Sequence, residues 1–165
     1  MIIGQPGAGK STLARALGAR TGLPVVHLDH IHWQANWIPR PMAEKIPMVR
    51  AREEEEDWIN EGGLSTTWPS RRARADMLVW IDVGLWLRLW RVIARSWRYR
   101  GRMRPDLPEG CPEQFNAKTV AFIWFILRTW RSGRARMARE FAAFPRAKVR
   151  LRGVAETEAW LASLR

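Results

Sequence analysis

The chain has 165 residues, of which 47% are hydrophobic and 27% charged, which is typical of a globular protein and long enough for one domain with its own core. A single cysteine, Cys111, excludes an intrachain disulfide and a zinc site built from several cysteines, and it predicts a protein of the reducing cytoplasm. The net charge of +12 favours phosphate-rich partners such as nucleotides, nucleic acid or acidic lipid, although an arginine-rich genome gives the same excess.

The first predicted strand, residues 1–3, leads into a glycine-rich loop, and its short length suggests that the natural chain begins upstream. Residues Gly4 to Ser11 match the phosphate-binding pattern G-x-x-x-x-G-K-[ST]. Glycine lets backbone N–H groups surround a phosphate, the lysine reaches the β- and γ-phosphates, and the serine hydroxyl binds Mg²⁺. We therefore predict a nucleotide-binding set composed of Gly4, Gly7, Ala8, Gly9, Lys10, Ser11 and Thr12.

The remaining elements alternate between helices and strands. Hydrophobic patterning and helix breakers predict strands at 24–29, 58–61, 77–82 and 148–152. The same signals predict helices at 10–19, 42–56, 85–99, 118–131, 134–144 and 156–164, with loops at 30–41 and 101–114. This alternation predicts an α/β fold in which a parallel five-stranded sheet carries helices on both faces.

Several segments are similar to a bacterial P-loop family related to adenylate kinases and shikimate-kinase-like phosphotransferases, whose members are often named topology modulation protein. These segments are 4–12, 27–29, Trp33, 37–39, 58–59, 74–76, 89–92, 99–101, 104–106 and 110–113. The resemblance covers nearly the whole chain. It implies one three-layer P-loop domain over residues 1–165, with a basic lid at about residues 100–116 as in nucleoside monophosphate kinases. It also implies an ATP- and Mg²⁺-dependent phosphotransferase, whereas the family name implies an effect on DNA.

Three acidic residues are predicted to lie beside the glycine loop, because the carboxyl ends of parallel strands share one edge of the sheet. Glu61, followed by Gly62, stands where similar kinases carry Asp-Gly, so the resemblance assigns Mg²⁺ to Ser11 and Glu61, with a longer reach than Asp provides. Asp82 is the competing metal partner. In shikimate-kinase-like enzymes an acid at the end of the second strand binds the acceptor hydroxyl and takes its proton, which gives that role to Asp29, with a turn or helix cap as the alternative.

The second basic feature is a run of seven arginines, the first four spaced three and four residues apart on one helix face: Arg88, Arg91, Arg95, Arg98, Arg100, Arg102 and Arg104. In related kinases a mobile lid supplies arginines that clamp the transferring phosphate. The resemblance gives this catalytic role to Arg95, Arg100 and Arg104, together with Lys10. Arg71 and Arg72 either hold an anionic group of the acceptor or are surface charge.

Two further patterns have simple interpretations. The cluster His27, His30 and His32 could hold a metal, but it is more typical of a polar pocket wall. The residues Trp86, Trp90 and Trp97 recur at helical spacing beside aliphatic residues, which predicts that they belong to the core.

The expected partners are a nucleotide and a small-molecule acceptor that the sequence does not identify. Two other functions stay open: a nucleic-acid-associated NTPase, for which the charge allows only non-specific binding because no recognition motif is present, and a nucleotide-binding module with little catalysis. The longest apolar run, residues 120–127, is far shorter than the ~20 residues of a membrane span. We accordingly expect no membrane partner and no signal peptide. The sequence leaves the oligomeric state open.

Overall fold

A computed structural model describes residues 1–164 as an α/β fold. The strands are β1 (Ile2–Gly4), β2 (Val25–His27), β3 (Trp33–Gln34), β4 (Ile38–Pro39), β5 (Ile59–Glu61), β6 (Met77–Ile81) and β7 (Ala147–Leu151). The α-helices are α1 (Lys10–Thr21), α2 (Leu28–His32), α3 (Met42–Glu53), α4 (Trp68–Arg74), α5 (Leu85–Arg98), α6 (Ala117–Ala143) and α7 (Val154–Ser163). Two short 3₁₀ helices lie at Ala35–Trp37 and Ser65–Thr67.

Five parallel strands form the main sheet in the order β2-β5-β1-β6-β7. Alternate residues of β1 point to opposite faces, as the pleat of a strand requires. Ile2 packs with Leu13 of α1, and α7 contacts the same cluster. Ile3 packs on the other face with Met137 of α6. The predicted parallel five-stranded sheet with helices on both faces is therefore confirmed.

The central position of β1 determines where a ligand would bind. Its two neighbours are β5 and β6, so the chain crosses to one side of β1 first and to the other side later. In open parallel sheets this arrangement leaves a crevice beyond the carboxyl ends of the strands. The glycine loop, residues 4–11, follows β1 at this crevice.

The segment after β2 differs from the prediction. The strand ends at His27, and Asp29 lies on the short helix α2 rather than at a strand end. The predicted loop 30–41 contains a hairpin, in which β3 and β4 pair antiparallel. Helix α4 was not predicted, because its Pro- and Ser-containing sequence gives only a weak helical signal.

Helix α6 is continuous through Gly133, so the predicted break at that residue is wrong. A side chain at Gly133 would place its Cβ 2.7 Å from Nε2 of Gln5. That amide nitrogen donates to the carbonyl of Trp130 at 2.9 Å. Gly133 therefore allows the glycine loop to approach α6 closely, at a cost of about 1 kcal/mol in helix propensity.

The prediction that Trp86, Trp90 and Trp97 belong to the core is also wrong, since these side chains are 78%, 66% and 65% exposed. Helix α5 packs instead through a second apolar stripe that includes Leu89 and Val92, against α6. Both stripes have helical spacing, so periodicity alone does not distinguish them. Among residues 1–164, no helix combines the length and apolar character needed to cross a bilayer.

Candidate functional site

A cleft of about 1210 Å³ lies at the carboxyl edge of the main sheet. The glycine loop forms its floor, and side chains from α1, α2, α5, α6 and the loop after β5 form its walls. The predicted site residues Lys10, Ser11, Asp29, Glu61, Arg95 and Arg104 all line this cleft. The structure therefore brings together residues that are up to 94 positions apart in the sequence.

Two glycines give the loop its curvature. Gly7 and Gly9 have φ angles of 77° and 102°, in the left-handed region that favours glycine. A Cβ at Gly7 would lie 2.5 Å from the backbone oxygen of Arg88, so the loop packs against α5 with no room for a side chain. Helix α1 begins directly after Gly9, with no side-chain cap and no acidic residue in its first turn. Its first N–H groups and its dipole are thus available to an anion.

Two cations lie over this loop. Nζ of Lys10 donates to the carbonyl of Gln5 at 3.4 Å. Nη1 of Arg91 donates to the carbonyl of Ala8 at 3.0 Å and lies 3.3 Å from where a Cβ of Gly9 would be. Arg91 is therefore an anion-binding candidate that the sequence did not rank above its neighbours. The arginine spacing on α5 included it, but its contact with the loop depends on tertiary packing.

Glu61 is held by a histidine. Nδ1 of His27 lies 2.6 Å from Oε1 of Glu61, and both side chains are largely buried. Burial favours a raised pKa for Glu61, but the hydrogen bond from His27, the charge of Lys10 and a hydrogen bond from Ser11 outweigh it, and the pKa is lowered. Glu61 is consequently an ionised carboxylate next to the Ser11 hydroxyl.

The pKa of Asp29 is shifted in the opposite direction to that of Glu61. Burial raises the pKa of Asp29, and the negative charge of Glu61 raises it further, while Lys10 and Arg104 act in the other direction. Two neighbouring carboxylates in one cleft thus have pKa values that are shifted apart. Such a pair can combine a permanently ionised group with one that exchanges a proton near its own pKa.

His32 lies one turn after Asp29 and lines the same cleft. Nζ of Lys45, a buried lysine on α3, is 3.2 Å from Nδ1 of His32. Because the ammonium group can only donate, Nδ1 accepts and the ring proton lies on Nε2. Burial, followed by the charge of Lys45, lowers the pKa of His32, so the imidazole stays neutral and Nε2–H is a donor.

Asp82, the competing metal candidate, is hydrogen-bonded to two arginines outside the cleft. Its carboxylate accepts hydrogen bonds from Arg134, at 2.9 Å for the closest pair, and from Arg150. Burial favours a raised pKa for Asp82, but these two guanidinium groups outweigh it and lower the pKa. Asp82 therefore connects β6 to α6 and β7 through ion pairs, and it does not line the cleft.

Arg95 and Arg104 belong to an ionic cluster in the cleft wall. Nε of Arg104 lies 3.1 Å from Oε2 of Glu113, and its Nη1 lies 3.5 Å from Oδ2 of Asp106. Nε of Arg95 lies 3.9 Å from Oε1 of Glu113, which also accepts from Ser96 at 2.7 Å. Burial lowers the pKa of Arg95, and the like charge of Arg104 adds to this.

The other predicted arginines are placed differently. Arg100 is exposed and lies outside the residues that line the cleft. Arg71 is fully buried and donates to the carbonyls of Gly63 and Leu64, at 2.6 and 3.0 Å, so it is neither surface charge nor free for an acceptor. Arg72 pairs with Glu140 at 3.1 Å. Both residues thus have structural partners.

The segment between α5 and α6, residues 99–116, is here called the arginine loop, and it contacts the β3–β4 hairpin. The backbone N–H of Asn36 donates to the carbonyl of Gly110 at 2.8 Å, and the indole N–H of Trp37 donates to the carbonyl of Pro112 at 2.9 Å. The thiol of Cys111 donates to the carbonyl of Gln34 at 3.1 Å. Asn36 and Trp37 have φ angles of 64° and 62°, unusual for residues other than glycine, at this contact.

The cleft therefore combines a glycine loop that precedes a helix N-terminus, an ionised carboxylate beside a hydroxyl, a second carboxyl group with a raised pKa, and several guanidinium groups. Comparison of the chain with protein-family models and with curated proteins finds no match.

Proposed function

We propose that the protein is an ATP- and Mg²⁺-dependent phosphotransferase whose glycine loop is a P-loop. The observation that carries the proposal is the convergence of Lys10 and Arg91 on a left-handed glycine turn that precedes a helix N-terminus. A site of this kind binds phosphate through backbone N–H groups and through fixed positive charge. Phosphoryl transfer depends mainly on such positioning and charge neutralisation.

The residues present fit magnesium and a nucleoside triphosphate. Mg²⁺ prefers oxygen ligands, and Ser11 with ionised Glu61 offers a hydroxyl and a carboxylate side by side. Gly7 and Gly9 carry no side chain and have left-handed φ angles, so the turn can direct backbone N–H groups at a phosphate. When bound, Mg²⁺ would neutralise charge on the phosphates. In this proposal Ser11 and Glu61 hold the metal, and His27 orients Glu61.

The acceptor would lie between Asp29 and an aromatic wall. Trp33 and Trp37 line the cleft near α2, with ring centroids 5.5 Å apart in an edge-to-face arrangement, and Trp68 lines it from α4. Asp29 would accept the proton of the acceptor hydroxyl, for which its raised pKa makes it a stronger base than an ordinary aspartate. Trp rings suit a flat or ring-shaped acceptor.

The arginine loop would act as a lid. It carries Arg104 into the cleft wall beside Arg95 and contacts the hairpin that bears Trp37. In the proposed reaction Arg95 and Arg104 stabilise the charge of the transferring phosphoryl group, and the loop excludes water. Arg100, which is exposed, has no such role.

The test is an acceptor screen in which ADP release from ATP and Mg²⁺ is measured for the wild type and for Lys10→Ala. We expect that one class of hydroxyl compound stimulates ADP release, and that Lys10→Ala lowers the stimulated rate by roughly 10²-fold or more. Arg50→Ala, an exposed change on α3, is the control and should leave the rate unchanged. Tight ATP binding without ADP release for any acceptor would instead identify a nucleotide-binding module. Unchanged ATP affinity in Lys10→Ala would contradict the phosphate-binding role.

A further inference from the structure

A stripe of exposed apolar side chains runs along α5. The stripe consists of Trp86, Trp90, Ile93 and Trp97, which recur every three or four residues and therefore share one face of the helix. We call this set the tryptophan stripe. The ring of Trp97 continues it onto the arginine loop, where the ring of Phe115 lies edge-on at a centroid distance of 6.0 Å. A contiguous exposed apolar surface usually marks a site of contact with another molecule or with a membrane.

The net charge of α5 and of the segments that follow it indicates which kind of partner would bind the stripe. Helix α5 contains no Asp or Glu, and the only one in α6 is Glu140 near its end. Residues 85–143 contain thirteen Lys and Arg against four Asp and Glu, an excess of nine positive charges out of the +12 of the chain. Nine of these thirteen cations are exposed, against one exposed acid, Glu109, so a partner of complementary charge is anionic, and it is apolar where it meets the stripe.

Two alternatives fit less well. A second copy of this chain would bring two acid-free helices together, so their cations would repel each other without carboxylates to offset them. A single-stranded nucleic acid could stack on the tryptophans, but Ile93, which lies among them on the same face, offers no ring for stacking.

We propose that α5 docks on the surface of an anionic phospholipid bilayer, with the tryptophan stripe inserted at the boundary between headgroups and acyl chains. Tryptophan favours this boundary because its ring is apolar and its N–H is polar. Aliphatic Ile93 lies within the same face, and the surplus of arginine supplies attraction to the phosphates. The helix lies on the membrane and does not cross it, so the proposal departs from the expectation of no membrane partner, which rested on the lack of a spanning segment. The inference does not depend on the proposed phosphotransferase activity, because that activity is argued from the cleft residues and not from the stripe.

The experiment is sedimentation of the full chain with vesicles of phosphatidylcholine that contain about one third phosphatidylglycerol. We expect binding to these vesicles, little binding to pure phosphatidylcholine, and weaker binding at high salt because the headgroup attraction is screened. The triple variant Trp86→Gln, Ile93→Gln and Trp97→Gln should lower the partition coefficient by about tenfold or more. Trp90 is left intact because it also lines the cleft.

The matched control is Met42→Gln with Met48→Gln, which removes two exposed apolar side chains from α3 and should leave vesicle binding unchanged. Equal thermal unfolding midpoints for all proteins establish that the variants are folded. If the triple variant unfolds, Trp86→Gln alone, at the most exposed of the four positions, should lower the partition coefficient about threefold.

Three results would overturn the inference. The first is equal binding of the wild type and the triple variant to the anionic vesicles, or no binding of the wild type at low salt. The second is a wild-type dimer in analytical ultracentrifugation that the triple variant converts to monomers, which would make the stripe a self-interface. The third is loss of single-stranded oligonucleotide binding in the triple variant while vesicle binding is retained.

Discussion

Nδ1 of His27 and Oε1 of Glu61 lie 2.6 Å apart, at the adjacent carboxyl ends of β2 and β5. The imidazole thereby fixes the carboxylate that we assign to magnesium, and the lowered pKa of Glu61 reflects this partner together with Lys10. Outer partners of this kind orient a metal ligand without touching the metal. In the proposed magnesium site, His27 is thus a positioning residue.

Replacement of His27 by Ala should weaken magnesium binding. The Glu61 carboxylate would lose its hydrogen bond and its fixed orientation, so the Mg²⁺ concentration needed for half-maximal ATP binding should rise about tenfold. Calorimetric titration of Mg²⁺ at constant ATP measures this. His27→Asn keeps an N–H donor near the Nδ1 position and should restore most of the affinity. An unchanged Mg²⁺ requirement in His27→Ala would show that Glu61 is not held by this contact.

Gly7→Ala should lower the free energy of unfolding more than Gly22→Ala, which is the matched control. Both glycines have left-handed φ angles, 77° and 75°, but only a Cβ at Gly7 meets backbone, whereas a Cβ at Gly22 meets open space. Gly22→Ala should cost about 1 kcal/mol from conformational strain alone. Gly7→Ala should cost about 2 kcal/mol more because the clash with Arg88 displaces the loop from α5. Urea unfolding measures both, and equal costs would argue against the close packing.

Arg91→Ala should weaken ATP binding about tenfold, or about 1.4 kcal/mol, because it removes a guanidinium that lies over the loop. Arg91→Lys keeps the charge but loses the planar fork, so it should recover only part of the affinity. The control Arg102→Ala changes an exposed arginine of the arginine loop and should bind ATP as the wild type does. Equal ATP affinity in Arg91→Ala, measured by equilibrium titration, would remove Arg91 from the nucleotide site.

Asp29→Asn should abolish acceptor-stimulated ADP release while leaving ATP affinity unchanged, because the amide cannot take a proton. The carboxyl group ionises only as the pH rises through its raised pKa. On the acidic side of the profile, the pH at which the rate is half-maximal should therefore lie above the ordinary aspartate pKa of 3.8. Rates measured against pH for wild type and for the control Asp76→Asn, an exposed change, should coincide. A rate in Asp29→Asn close to that of the wild type would assign the proton to another group.

The ion pairs of Asp82 predict a pH dependence of stability. The folded-state pKa of Asp82 is lowered, so its contribution is fully present above the ordinary value of 3.8 and is lost as the pH falls through the folded pKa. Asp82→Asn should lower the free energy of unfolding at neutral pH by about 1–3 kcal/mol, since two guanidinium groups lose the negative charge with which they pair. Unfolding curves of the variant should also vary less with pH below about 4. Parallel pH profiles for the two proteins would contradict this assignment.

Local patterns were sufficient for the framework of the molecule. The glycine loop, the alternation of strands and helices, and the carboxylate Glu61 at the end of β5 follow from short stretches whose chemistry is readable residue by residue. The sheet edge then brings Glu61 to the loop without further information, because the strands are parallel.

Other features of the site and of the helices depend on tertiary packing, which local sequence patterns do not reveal. Arg91 and Arg100 both occur in the same arginine run, yet only Arg91 reaches the loop, since Gly7 lets α5 approach it. Gly133 looks like a helix breaker in isolation, but the neighbouring Gln5 amide occupies the space that a side chain would take. The tryptophans of α5 have the same spacing as its buried leucines, so only the position of α6 determines which stripe is covered.

The contact between the hairpin and the arginine loop joins two parts of the cleft wall, since Trp37 and Arg104 both line the cleft. Asn36, Trp37 and Cys111 together make three hydrogen bonds across it, and two of these residues adopt a backbone conformation that side chains disfavour. A displacement of either segment alone would break these hydrogen bonds. We therefore expect the hairpin and the arginine loop to move as one unit when a ligand enters, so that Trp37 and Arg104 would approach it together.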